Sequence, residues 1–92
     1  MGSVGAEITV FGMVQRVGFR YFCFRLANDL NLVGWVKNNP DGSVTTSIEG
    51  DSGAVESYIK ELKIGSSYSK VTDINIKNLP VRGKFKNFDI IK

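Results

Sequence analysis

The 92-residue chain has no histidine, a single cysteine and two prolines. No apolar run approaches the roughly 18 residues that a membrane-spanning helix needs. Each shortage removes a class of function. Without histidine there is no imidazole to serve as general acid or base, and no serine–histidine pair. One thiol, Cys23, cannot form an internal disulfide or a cysteine-built metal site. Nor does it open a cysteine-phosphatase loop, because the position that would need arginine is occupied by Asp29. No glycine is followed by Lys-Ser or Lys-Thr, so there is no Walker loop. The acidic residues are scattered singly, which argues against a two-metal phosphatase centre. The N-terminus lacks the layout of a secretory signal. Together with the shortage of cysteine, this sets a cytoplasmic location as the expectation.

What is present is enough for one compact domain over residues 1–92, since 42% of the residues are hydrophobic and a disordered chain is far less apolar. Residues 1–5 read as disordered or as a cloning scar. The net charge of +3 is unevenly placed. Lys60, Lys63, Lys70, Lys77, Arg82, Lys84, Lys86 and Lys92 crowd the second half. Such a bias suits a solvated surface, a small anionic substrate or nucleic acid.

Alternation of Ala6, Ile8 and Val10 with Glu7 and Thr9 predicts a half-buried strand over Ala6 to Phe11. From Phe19 to Leu30 the period becomes helical, with Phe19, Phe22, Cys23, Leu26 and Leu30 on one face and Asn31 as a stop. Val33 to Lys37 and Val44 to Ile48 read as strands around the turn Asn39-Pro40-Asp41-Gly42. Asp51 or Ser52 caps a second helix that presents Val55, Tyr58, Ile59 and Leu62 and stops at Gly65. Val71 to Ile76 and Phe85 to Ile91 complete the strands, and Trp35 is expected in the core. The predicted fold class is therefore α+β: a ferredoxin-like βαββαβ sandwich with an extra C-terminal strand and two helices on one face of a mainly antiparallel sheet.

The most informative segment is Gly12-Met13-Val14-Gln15-Arg16-Val17-Gly18-Phe19-Arg20. It ends a strand and opens a helix. A glycine-bounded loop feeding a helix start offers unpaired N–H groups and the positive end of the helix dipole, which is an anion site. Arg20 adds a planar donor group able to grip two oxygens of one anion. A phosphate cradle is the expected reading. Transfer of a reactive phosphoryl group is mainly positioning and electrostatics, so such a loop needs no metal. The water needs a polar group, and Asn38 is the candidate: its carboxamide accepts a hydrogen bond but is too weak a base to take the proton.

These residues carry a resemblance. The chain is similar to the acylphosphatase family in two motifs, Gly12-x-Val14-Gln15-x-Val17-Gly18-Phe19-Arg20 and Gly34-Trp35-Val36-Lys37-Asn38-x-x-x-Gly42-x-Val44 running on to Gly50. The likeness extends from about Ala6 to Ile91. It implies hydrolysis of a carboxyl phosphate to carboxylate and inorganic phosphate, with no metal and no cofactor. It further implies a phosphate loop of Gln15, Arg16, Val17, Gly18, Phe19 and Arg20, with Arg20 binding phosphate and Asn38 positioning water. The expected partners are a small acyl phosphate and inorganic phosphate, with no membrane and no nucleic acid, for a monomeric protein. Two alternatives stay open: a catalytically weakened relative that binds acyl or carbamoyl phosphate, and a nucleic-acid module on the same fold. In one position the chain departs from the family pattern, carrying Arg16 where the family has glycine. Glycine there suits positive φ or close approach of backbone to a ligand. Arginine is expected either to strain the cradle or to add a cation beside it.

Overall fold

The computed structural model describes residues 2–92. Its elements are β1 (Ser3–Met13), α1 (Phe19–Asp29), β2 (Val33–Asn38), β3 (Val44–Asp51), α2 (Ser52–Ile64), β4 (Lys70–Leu79) and β5 (Phe88–Ile91). The strands form one sheet in the order β4-β1-β3-β2-β5. Three neighbour pairs are antiparallel, and β2 with β5 is parallel. Each βαβ unit thus has a strand inserted between its own two. The two helices pack on one face, as the ferredoxin-like plan requires.

Register decides which side chains meet those helices. Ala6, Ile8 and Val10 lie opposite Ile48, Thr46 and Val44, which in turn face Gly34, Val36 and Asn38. This face buries against Phe19, Cys23 and Ala27 of α1 and Val55, Tyr58 and Leu62 of α2. Of the two polar strand residues in that layer, Thr46 and Asn38, Thr46 is paired: its Oγ1 donates to the Trp35 carbonyl at 2.9 Å and lies 2.8 Å from the Tyr58 hydroxyl. Buried hydroxyls are tolerated when bonded in this way.

Burial pushes the Cys23 thiol up to about 12 from an ordinary 9.0. The Tyr58 phenol also goes up, first through burial and then through its nearness to Cys23. A group whose pKa is higher in the folded state keeps its proton there after the unfolded chain has lost it. Its contribution is therefore intact below the unfolded pKa and is lost as pH rises towards the folded one. Unfolding free energy from urea titration should fall above pH 9.0, the ordinary thiol value, by about 1.4 kcal/mol per pH unit, and more steeply above the ordinary phenol value of 10.0, where Tyr58 adds its share. A flat profile to the folded thiol's value would show that Cys23 and Tyr58 are not buried as described.

The structure departs from the sequence reading in several places, and β3 and β4 run on to Asp51 and Leu79. Residues 3–5 are not a disordered tail: Ser3, Val4 and Gly5 pair with Asp51, Gly50 and Glu49. Their strand character was invisible because Ser3 and Val4 are exposed and Gly5 has no side chain, so the alternation starts only at Ala6. Met1 lies outside the described residues. Gly12 is not in a loop but inside β1, beside a bulge at which β4 carries the extra residue: Phe11 pairs with Asp73 and Gly12 with Val71, so Thr72 has no partner in the register. The φ of Gly12 is 123°, and a Cβ there would stand 2.1 Å from the Lys70 carbonyl oxygen, so no other residue fits without moving the strand. Trp35 is half-buried on the sheet face away from the helices, with Lys37 Nζ 5.4 Å above its ring, rather than in the core. Finally, β5 starts at Phe88, not Phe85.

The last difference has a physical cause. Residues 80–87 must carry the chain from β4 at one sheet edge to β5 at the other. They cross the face without helices, where Glu49 is buried and accepts hydrogen bonds from the amides of Arg82 at 3.0 Å and Gly83 at 3.2 Å. Amides given to a carboxylate cannot also pair in a strand. Phe88 then re-enters the core against Phe24 and Tyr58. This anchors the C-terminal strand beside β2, where its last residues reach the loop after β1.

Candidate active site

The C-terminal ends of β1, β2 and β5 and the start of α1 meet at one end of the sheet. Here Val14, Arg16, Gly18, Phe19, Arg20, Tyr21, Asn38 and Ile90 enclose a cavity of about 210 Å3. Two guanidinium groups border it and no carboxylate does. Helix α1 opens without an acidic residue in its first turn and without a side-chain cap. Among the described residues, no amide from Gln15 to Arg20 donates to another backbone group. Donors left unpaired at a helix start attract an anion.

The loop reaches this shape through two residues in the left-handed region, Arg16 at φ 64° and Gly18 at φ 75°. At Gly18 a Cβ would meet nothing within 4 Å, so glycine is needed there for its backbone and not for space. Arg16 adopts the conformation that glycine would take, so the departure from the family pattern leaves the turn intact and strains one residue. Left-handed φ costs a branched or long side chain about 1–2 kcal/mol. The Arg16→Gly variant should gain about 0.5–1 kcal/mol of unfolding free energy, after allowance for the extra freedom of glycine in the unfolded chain. It should also bind inorganic phosphate several-fold less tightly at low salt, through loss of a cation. Unchanged stability and unchanged affinity would together show that the loop tolerates arginine at no expense.

Arg20 is half-buried, and its Nη1 donates to the Ile91 carbonyl at 2.9 Å. One nitrogen of the fork is thereby tied to β5 and the rest of the donor edge stays free. Asn38 closes β2 on the helix-facing side. Its Oδ1 is buried and has no hydrogen-bond partner.

Of the residues read from sequence, Arg16, Gly18, Phe19, Arg20 and Asn38 come together at the cavity. The side chains of Gln15 and Val17 do not. Gln15 Nε2 donates to the carbonyls of Asn39 at 2.7 Å and Ser43 at 2.9 Å, which binds the loop to the β2–β3 turn. Val17 borders a neighbouring groove with Tyr21 and Tyr68. Within the loop only their backbone can serve an anion. The β2–β3 turn is itself braced. Asn39 Nδ2 donates to Ser43 Oγ at 2.9 Å and Thr45 Oγ1 at 2.7 Å. The Asp41 carboxylate accepts from the Ser43 amide at 2.9 Å. It also accepts from the Ser43 hydroxyl, and these bonds hold its pKa below the usual carboxylate value. Gln15 thus fixes the distance between the loop and the strand end that carries Asn38.

Val14, Tyr21 and Ile90 were not foreseen. Nothing local links Ile90 to residues some seventy positions earlier. The nucleic-acid alternative required aromatic side chains on a central strand with an open face. Phe19 and Phe22 instead belong to α1, with Phe19 1% exposed in the core. Among the described residues, no helix is long and apolar enough to cross a membrane.

Known proteins resemble the chain along nearly its whole length. The family model Acylphosphatase matches residues 6–90. An acylphosphatase of Chlorobaculum tepidum is 44% identical over 85 residues, covering 92% of each chain. One of Bacillus subtilis is 49% identical over 70 residues, covering 76% of this chain and 77% of that one. The crystal structure of the acylphosphatase from Bacillus subtilis superposes with a TM-score of 0.93 at 40% identity, over 97% of this chain and 99% of that one. Full-length HypF in the phosphate- and nucleotide-bound form matches with a TM-score of 0.90 at 34% identity, over 99% of this chain but 12% of that one. A model match over nearly the whole chain, with relatives above 40% identity, settles the family: the chain belongs to the acylphosphatases, hydrolases that act on acyl phosphates.

Proposed function

We propose that the cavity at the start of α1 binds the phosphoryl group of a small acyl phosphate and that water held by Asn38 displaces the carboxylate. The observation that carries this reading is one cavity bordered by two guanidiniums, unpaired loop amides and an unpartnered carboxamide oxygen. The amides of residues 15–20 and the free edge of Arg20 take the equatorial oxygens, on which charge gathers in a loose transition state. Tying Nη1 to Ile91 leaves the guanidinium oriented before substrate arrives, so little freedom is lost on binding.

An unpartnered buried acceptor costs about 1–3 kcal/mol, and a bound water relieves that cost. The last torsion of an asparagine is broad, so rotation of the carboxamide offers Oδ1 to a molecule in the cavity. The water attacks phosphorus as the bond from phosphorus to the acyl oxygen breaks. The bonding pair leaves with the carboxylate, and the proton of the water ends on a phosphate oxygen. A carboxylate departs without protonation, whereas an alkoxide would need an acid that these residues do not supply. No step calls for a metal.

The test is release of phosphate by the purified protein from acetyl, benzoyl and carbamoyl phosphate, with p-nitrophenyl phosphate as the monoester control. Turnover of the acyl phosphates, absence of turnover of the monoester and indifference to EDTA are expected. Activity lost in EDTA and restored by magnesium would overturn the metal-free scheme. Binding of phosphate without turnover of any acyl phosphate would favour a binding relative instead.

A further inference from the structure

The phosphate cavity does not end at the helix start. Gly18 and Tyr21 border both it and a second groove of about 370 Å3, formed between α1 and the segment 66–68 that joins α2 to β4. The two spaces share a rim and differ in chemistry. Phe22 and Leu26 contribute apolar surface to the groove, and Tyr21 and Tyr68 stand there 59% and 80% exposed. Large aromatic side chains left in water beside a binding cavity mark surface that gains from being covered.

We propose that this groove, between α1 and residues 66–68, receives the acyl group of the substrate, and that Tyr68 is the contact through which it distinguishes large acyl groups from small ones. The inference rests on the acyl phosphate reading above. An acyl phosphate joins its phosphoryl group to the acyl carbon through one oxygen, so a phosphoryl group seated in the cavity leaves the acyl group at the cavity's rim. From there it extends into water or along the groove. Apolar surface prefers the groove in proportion to the area it covers. A methyl group has too little area to gain much, whereas a phenyl ring can lie against Tyr21 and Tyr68. Arg25 and Asp29 also border the groove. One cation and one anion give it no net charge, so it offers a neutral acyl group more than it offers a dicarboxylic one.

Tyr68 tests the proposal because it borders the groove alone and, being mostly exposed, supports little of the core. The kcat/KM values for benzoyl phosphate and acetyl phosphate are to be measured for the wild type, Tyr68→Ala and Tyr68→Phe. Each variant is compared with the wild type on the same substrate, which cancels the intrinsic reactivity of the two anhydrides. Tyr68→Ala should lower kcat/KM for benzoyl phosphate by about three- to tenfold, mostly through KM, as expected for one lost aromatic contact. Its kcat/KM for acetyl phosphate and its inhibition constant for inorganic phosphate should stay within about twofold. Tyr68→Phe, which keeps the ring, should match the wild type on both substrates. If Tyr68→Ala alters the two substrates equally, or neither, the groove is not the acyl site while the hydrolytic reading stands. A wild-type protein that hydrolyses neither substrate would refute that reading and this inference with it.

Discussion

Replacing Arg20 by lysine is expected to weaken inhibition by inorganic phosphate about a hundredfold and to lower kcat/KM for acyl phosphates by about a hundred- to a thousandfold. The charge survives this substitution, so the loss measures geometry. A guanidinium donates from a planar fork, and in this structure one arm of that fork is already held by the Ile91 carbonyl at 2.9 Å. The remaining nitrogens can then meet two oxygens of one phosphate without further ordering. An ammonium is a single flexible point of charge. It cannot satisfy the Ile91 carbonyl and two phosphate oxygens with the same fixed spacing. Competitive inhibition by phosphate, read beside thermal unfolding, separates the effects. Arg20→Lys should unfold within a few degrees of the wild type, because the residue is only half-buried and makes one hydrogen bond to the protein. Near-wild-type phosphate inhibition in this variant would remove Arg20 from the binding site.

How much of this site could be read from the chain alone depends on the range of the forces that build it. Gly18, Arg20 and the opening of α1 follow from local rules: a residue with positive φ, an uncapped helix start and an arginine in the first turn. Arg16 illustrates the same point from the other side. The pattern required a residue tolerant of positive φ there, and the backbone adopts φ 64° with arginine in place. The path of residues 80–87 was not legible, because it is set by Glu49 accepting from Arg82 and Gly83 across more than thirty positions. With it went the contact of Ile91 with Arg20, which exists only after β5 has crossed the sheet to lie beside β2. The role of the Gln15 side chain was hidden for a related reason. Its place in the motif names the loop, but its two bonds run to the turn after β2. Local chemistry marked the loop and the helix start, while long-range hydrogen bonds determine what holds them steady.

Asn38→Ala is the second substitution with a large expected effect, and its signature is the opposite of that of Arg20→Lys. The phosphate donors remain, so inhibition by inorganic phosphate should stay within about twofold of the wild type while kcat falls by about a hundred- to a thousandfold. The size follows from positioning: without the carboxamide, the water must be captured and aligned in every turnover. Stability supplies an independent check. Asn38 Oδ1 is buried without a partner, so removing it relieves a desolvation cost rather than breaking a bond. Alanine should therefore leave the folded state no less stable than the wild type, and up to about 1 kcal/mol more stable. A residue kept for packing would show the reverse, losing stability and kcat together. A more stable protein that binds phosphate and barely turns over is what a group retained for chemistry predicts, since functional sites hold groups that folding alone would discard. Asn38→Ala with a kcat near the wild-type value would assign the water to some other donor at the cavity. The amide edge from Gln15 to Arg20 would then have to orient both the phosphoryl group and its attacker.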